Sequence, residues 1–206
     1  MDTTTLAAFL AVDLLLVFTP GADWAFAISA GLRDRSVVPA VAGLVAGHVA
    51  YALLAVAGLA VIVAGSTPVL TVLTAAGAGY LMWLGWSVLR QPAVVAASDE
   101  TVGSSRWQVL LRGAGVSGLN PKALLLFFSL FPQFIDTAAG WPVAAQTGLL
   151  SVVHVVACAV VYPAVGLLAR TVLKTRPGAA RTVTRISGAM MIAIGGFLLL
   201  ERLAGW

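Results

Sequence analysis

The sequence predicts an all-α integral membrane protein of six transmembrane helices, arranged as a 3+3 inverted repeat with spans one and four broken at Pro20 and Pro121. Three observations predict it. Of 206 residues, 60% are hydrophobic and 10% charged, and the mean hydropathy is +1.00, far outside the range of a soluble domain. Apolar runs long enough to cross a bilayer, which takes about 20 residues, fall at 6–31, 37–64, 68–89, 109–135, 142–169 and 183–203. The chain also repeats itself. Each half opens with a span broken at a cap-proline pair, Thr19-Pro20 or Asn120-Pro121, and continues with an Ala/Val-rich span holding one histidine, His48 or His154. Each half ends in a span with a small residue seven before a glycine, Ala78 to Gly85 and Gly188 to Gly195. An odd number of spans per half forces the halves into opposite orientations. The expected organisation is a single membrane domain, 1–206, with a first three-span repeat at 1–90, a cytoplasmic linker at 91–106 and a second repeat at 107–206.

Span one carries no basic region at its Met1-Asp2-Thr3 start and is long, so it does not read as a cleavable signal peptide. Its Thr19-Pro20-Gly21-Ala22-Asp23 stretch reads as a helix break, with Thr19 capping a second half-helix and Pro20 at its first position. Span two holds Gly43-Leu44-Val45-Ala46-Gly47, a small-residue face for close helix approach, within the chain or between two copies as a homodimer. Span three ends at Trp83, Trp86 and Arg90, where interfacial aromatic residues belong, as do Trp107, Trp141 and Trp206. The polar linker follows, with Asp99, Glu100 and Gly103.

Span four contains the densest signal, Gly118-Leu119-Asn120-Pro121-Lys122-Ala123. Proline ends one helix and opens another, with Asn120 as N-cap and Pro121 in the first turn. Lys122 then stands at the positive end of the second half-helix, the wrong sign for stability, so an anionic group is expected beside it. Two broken helices, one near the start of each half, point to a transporter's binding site. Their free N–H groups suit a carboxylate.

The net charge is +4, and its distribution sets the topology. Arg33 and Arg35, then Arg90, Arg106 and Arg112, then Arg170, Lys174, Arg176, Arg181 and Arg185 occupy alternate loops. The positive-inside rule places these loops in the cytoplasm and both termini outside. A nucleic-acid partner is not expected, because no polar surface is left to present the charge.

Ionisable groups inside the spans are expensive and are functional candidates by default. They are Asp13, Asp23, His48, Lys122 and His154. Asp23 and Lys122 follow the two breaks. They read either as a buried ion pair pinning the halves together or as a pair opened by substrate, whose carboxylate takes Lys122 and whose ammonium takes Asp23. Asp13 reads as a proton site or as facing a wet vestibule. His48 and His154 read as a proton relay or as hydrogen-bonded packing residues. Trp24 falls beside the first break and is a candidate for the central cavity. Gln133 is a candidate external gate or a helix end.

These residues carry a resemblance. Pro20-Gly21-Ala22-Asp23 with Gly31 and Arg33, Gly43 and Gly47, Tyr80-Leu81-Met82-Trp83-Leu84-Gly85, and Asn120-Pro121-Lys122-Ala123 running through Phe127-Phe128 to Pro132-Gln133-Phe134 resemble the LysE/RhtB family of bacterial amino-acid exporters over nearly the whole chain. The resemblance implies six spans, export of amino acids or close amine-bearing derivatives, drive from the proton motive force, and no cofactor. It assigns central positions to Pro20, Gly21, Asn120, Pro121 and Lys122. The chain departs from the family's Pro-Gly-Pro-Asn pattern at Ala22 and Asp23, and the second change adds a charge.

Other classes fit less well. A cation or metal efflux transporter needs clustered ligands, and Asp13, Asp23 and the two histidines would act against Lys122. Gly115-Val116-Ser117-Gly118 matches the G-x-S-G of rhomboid-like intramembrane serine proteases, but the last span holds no histidine base. A disulfide relay needs two thiols, and Cys158 is the sole cysteine, which reads as a buried small apolar residue. The expectation is therefore a secondary active exporter working by proton antiport and alternating access, not an enzyme, and without a bound metal.

Overall fold

The computed structural model describes residues 1–32, 37–65 and 105–169, with isolated helical positions between 72 and 90 and between 182 and 200. Most of spans three and six, the two small-residue-to-glycine pairs, the linker before Ser105, and Arg33, Arg35, Arg170, Lys174, Arg176 and Arg181 lie outside the described residues. Every described element is a helix: α1 (Thr3–Val17), α2 (Ala22–Leu32), α3 (Val37–Gly65), α4 (Arg106–Gly118), α5 (Pro121–Leu125) and α6 (Val143–Leu168). A π turn (Leu126–Leu130) and a 3-10 turn (Phe131–Phe134) extend α5. Among the described residues two helices, α3 and α6, are long and apolar enough to cross a membrane. Two bent pairs pass the same test jointly: α1 with α2, at 58°, and α4 with the α5 extension, at 53°.

The helix ends follow from local chemistry. Asp2 caps α1, its carboxylate accepting from the Thr5 N–H at 2.7 Å. Pro20 has no N–H for the Leu16 carbonyl and restricts Thr19 to extended conformations, so α1 ends at Val17. The second half-helix does not begin as the sequence suggested. Thr19 does not cap it: the hydroxyl turns back to donate to the Leu15 carbonyl at 2.7 Å, and α2 starts two residues after Pro20, at Ala22. Ser105 opens α4 with a capping box, exchanging side-chain and backbone bonds with Gln108. Asn120 is the N-cap of α5, its Oδ1 accepting from the Lys122 N–H at 3.0 Å, with Pro121 in the first turn.

Small residues let the helices close. Gly43 and Gly47 of α3 lie against the backbone of α4; a Cβ at Gly43 would strike the Leu110 carbonyl, and one at Gly47 would lie 2.7 Å from the Ser117 Cβ. Gly31 of α2 and Gly166 of α6 meet backbone to backbone in the same way. The G-x-x-x-G face is thus used within the chain.

Two apolar clusters form. One gathers Phe9, Tyr51, Phe127, Leu130, Phe131 and Leu150, and the other Val17, Val37, Val41, Leu44, Val161 and Tyr162. His48 stands between Leu44 and Tyr51 on α3, and His154 between Leu150 and Ala157 on α6, so a polar layer lies between two apolar ones.

Candidate functional site

The first half of the site is the carbonyl end of α1. A helix leaves its last carbonyls without intrahelical donors, and here side chains supply them. Thr19 Oγ1 donates to Leu15, Lys122 Nζ to Leu16 at 3.0 Å, and Trp24 Nε1 to Val17 at 2.8 Å. Lys122 Nζ also donates to the Thr19 carbonyl at 2.9 Å. The anionic group that Lys122 needs is therefore the negative end of another helix dipole rather than a carboxylate. Gly21 lies alongside this contact, where a Cβ would make ordinary van der Waals contact with Nζ at 3.7 Å. The second break is closed similarly: Tyr51 donates its hydroxyl to the Gly118 carbonyl at the end of α4, at 2.8 Å.

The second half of the site is a row of ionisable side chains from four helices. Asp13 Oδ1 of α1 lies 2.7 Å from His154 Nδ1 of α6, His154 Nε2 lies 3.0 Å from His48 Nδ1 of α3, and His48 Nε2 lies 3.2 Å from Asp23 Oδ2 of α2. Asp23 Oδ2 also accepts from Asn120 Nδ2 at 3.0 Å and from the Tyr162 hydroxyl at 3.1 Å. All are buried, with Asp13 and Asp23 at 0% exposure and Lys122 at 6%. Among the described residues, Oδ2 of Asp13 and Oδ1 of Asp23 have no hydrogen-bond partner.

The row has room for one proton in each of its three links. With both carboxylates ionised, three protons on four ring nitrogens make one imidazolium and one neutral ring, a net charge of −1. Lys122 brings the centre to neutrality. A buried charge that is not balanced in this way would cost several kcal/mol.

The sequence-level candidates fall as follows. Asp23, Asn120, Lys122, His48, His154 and Asp13 converge on this centre, and Asp13 is buried rather than facing a vestibule. The direct Asp23–Lys122 ion pair is not what these two side chains make: the carboxylate takes His48, Asn120 and Tyr162, and the ammonium takes carbonyls. Pro20 and Gly21 lie in the turn between α1 and α2, and Pro121 opens α5. Trp24 fastens that turn through Val17. Gln133 donates to the Ser129 carbonyl one turn earlier and is exposed.

Further residues emerge from the structure. Tyr162 and Cys158 share the face of α6 that carries His154, at i+8 and i+4, with Cys158 Sγ 3.5 Å from His154 Nε2. Thr147 and Ser151 extend the same buried stripe, a one-sided polar spacing that was readable in an otherwise apolar run. Gln146, fully buried, donates to the Asp136 and Trp141 carbonyls and accepts from the Asp136 N–H, holding the loop before α6. Ser117 of the G-x-S-G motif is buried against Gly47 with its hydroxyl unpartnered.

A small cavity of about 10 Å³ remains at the centre, lined by Leu16, His48, Lys122, Leu126, His154 and Tyr162. That is room for one water at most. The site is a buried polar centre of helix-dipole ends and a row of ionisable side chains, set between bent apolar helices.

Comparison with known proteins places it further. The model of the LysE type translocator family matches residues 14–202, and the chain belongs to that family. It is a transporter family, not one of enzymes. An uncharacterized membrane protein of Vibrio cholerae is 31% identical over 155 residues, covering 74% of this chain and 76% of that one. A homoserine/homoserine lactone efflux protein of Salmonella typhimurium is 27% identical over 199 residues, 95% and 96% of the two chains. A leucine efflux protein of Klebsiella pneumoniae is 34% identical over 140 residues, 65% of each. No solved structure matches the chain.

Proposed function

We propose that this protein is a secondary active exporter of amino acids or close amine-bearing derivatives, working by proton antiport and alternating access in the bacterial cytoplasmic membrane. The observation that carries the reading is the joining, at one buried centre, of Lys122 on carbonyl dipoles with a row of ionisable side chains that ends at Asp23. Relatives named for efflux of homoserine and leucine support the substrate class.

The substrate carboxylate displaces the Leu16 and Thr19 carbonyls from Lys122, since an ion pair with good hydrogen bonds replaces two ion–dipole bonds. The ammonium goes to Asp23, whose Oδ1 awaits a donor. Ammonium and proton compete for that carboxylate. A proton leaving the Asp23 end shifts the three bonded protons one place toward Asp13, so proton and substrate occupy Asp23 in turn.

The centre has no room for an amino acid as it stands, since small-molecule sites are typically about 300–1,000 Å³. Opening is by rocking of the two inverted three-span halves about the Thr19–Gly21 and Leu119–Asn120 breaks. The aromatic layer of Phe9, Tyr51, Phe127 and Phe131 seals one side, and Gln133 lies beyond it at the outer end of span four. Both termini face outside in this arrangement.

The test is transport by purified protein in proteoliposomes, with labelled homoserine, leucine and threonine and an imposed pH gradient. Gradient-driven movement of one or more of these, abolished by Lys122→Met, is the expected result. Movement that ignores the gradient removes proton antiport, and movement unchanged in Lys122→Met removes the proposed binding site.

A further inference from the structure

The row of ionisable groups passes beside a thiol that transport leaves unused. His48, His154 and Cys158, all buried, each offer one ligating atom, and the three atoms lie within 4.8 Å of one another. The measured edges are 3.0 Å from His154 Nε2 to His48 Nδ1 and 3.5 Å from Cys158 Sγ to His154 Nε2. A tetrahedral ion with Zn–N of about 2.0–2.1 Å and Zn–S of about 2.3 Å has N–N edges of about 3.3–3.4 Å and N–S edges of about 3.6 Å. Both measured edges are within a few tenths of an ångström of these.

We propose that this cluster is a binding site for a borderline divalent transition metal, Zn²⁺ in the first instance, held by His48 Nδ1, His154 Nε2 and the Cys158 thiolate. The second observation is independent of the distances. A metal-ligating histidine characteristically donates its other ring N–H to a carboxylate, which fixes the tautomer and raises the ligand's basicity. Both histidines already do so, His154 Nδ1 on Asp13 at 2.7 Å and His48 Nε2 on Asp23 at 3.2 Å. The two nitrogens left over are those that face each other and the thiol. Mixed imidazole and thiolate donors select Zn²⁺ and its neighbours over Mg²⁺ or Ca²⁺. The small central cavity beside both rings leaves the fourth position to a water.

Charge explains why Lys122 does not forbid the ion. Binding removes the proton shared by the two histidines and the thiol proton. One divalent cation enters as two protons leave, both rings become neutral, the sulfur becomes anionic, and the net charge of the cluster stays at −1. Lys122 therefore meets the same field before and after, and the exchange is electroneutral in a buried place where a change of charge would be costly.

The inference does not depend on the export reading, because it is tested on tag-free purified protein without a transport assay. The chain has two histidines and one cysteine, so the signals have a single source. Titration with Co²⁺ should give one ion per chain with a thiolate-to-cobalt charge-transfer band, and calorimetry with Zn²⁺ in buffers of different ionisation enthalpy should show two protons released per ion. Cys158→Ser should abolish the band, with thermal unfolding confirming that the variant is folded. Asp13→Asn should keep the band and weaken affinity by about 10–100-fold. Absence of saturable one-to-one binding, binding without the band, or affinity unchanged in both variants would overturn the site.

Discussion

Lys122 Nζ donates to the Thr19 carbonyl at 2.9 Å across 103 residues of sequence, tying the first turn of one half-helix to the turn that follows another. The contact is made possible by two prolines. Pro20 cannot offer an N–H to the Leu16 carbonyl, the group that shares Nζ with Thr19, and Pro121 starts the helix that delivers the lysine. A cation at the positive end of its own helix is thereby held at the negative end of another. The stabilisation is positional, and a competing anion can take the lysine away.

Removing the ammonium should both loosen the fold and silence transport. Lys122→Met keeps the length of the side chain but takes the ammonium from the Thr19 carbonyl in a buried place, while the Leu16 carbonyl keeps the Thr19 N–H at 3.1 Å. The expected cost is about 1–3 kcal/mol for an unsatisfied buried group, read as a lower thermal midpoint. In the same preparation substrate uptake should vanish. A variant as stable and as active as the parent would show that the lysine does neither job.

The Asp13 end of the row should matter for protons and not for substrate. In Asp13→Asn the carboxamide oxygen still accepts from His154 Nδ1, but the end of the row can no longer bind and release a proton. Exchange of labelled for unlabelled substrate at equal pH should persist. Uphill transport driven by a pH gradient should fall to near background. Loss of both activities together would place Asp13 in substrate binding or folding instead.

Much of this arrangement was legible in the sequence. The apolar run at 37–64 became α3, Val37–Gly65, because only a helix satisfies its backbone in hydrocarbon. The buried histidines and aspartates stood out because polar groups in such runs need partners. What could not be read was which partner each one took. Lys122 and Asp23 looked like a pair, yet backbone carbonyls freed by Pro20 outcompeted the carboxylate, and carbonyls carry no sequence signature. Thr19 had the right chemistry for an N-cap and used it backwards, on Leu15, because an extended turn separates it from α2. Cys158 looked like a small apolar residue until the position of His48 on another helix was known.

Gln146 should hold the loop between Asp136 and Trp141 in place. Its amide makes three bonds to that loop's backbone while fully buried. Gln146→Leu preserves much of the volume and strands those groups. Limited proteolysis should cut the loop sooner, and the thermal midpoint should drop by an amount corresponding to about 1–3 kcal/mol. Proteolysis at the parent rate would mean that other contacts hold the loop.

Gly43 should tolerate no branched side chain, because α3 and α4 meet there backbone to backbone. A Cβ at this position would meet the Leu110 carbonyl carbon at 2.9 Å and the Ala114 nitrogen at 3.0 Å, atoms that cannot swing aside as a side chain can. In Gly43→Val the helices must separate, which strains the core by about 1–3 kcal/mol or more. The separation also carries His48 away, since it lies five residues along the same helix, so the His48–His154 bond should lengthen. Thermal unfolding and pH-driven transport should therefore decline together in Gly43→Val. Gly58→Val, where a Cβ would meet no atom of the described residues within 4 Å, should change neither. Equal effects at the two glycines would mean that helix propensity alone, and not close packing, sets the cost.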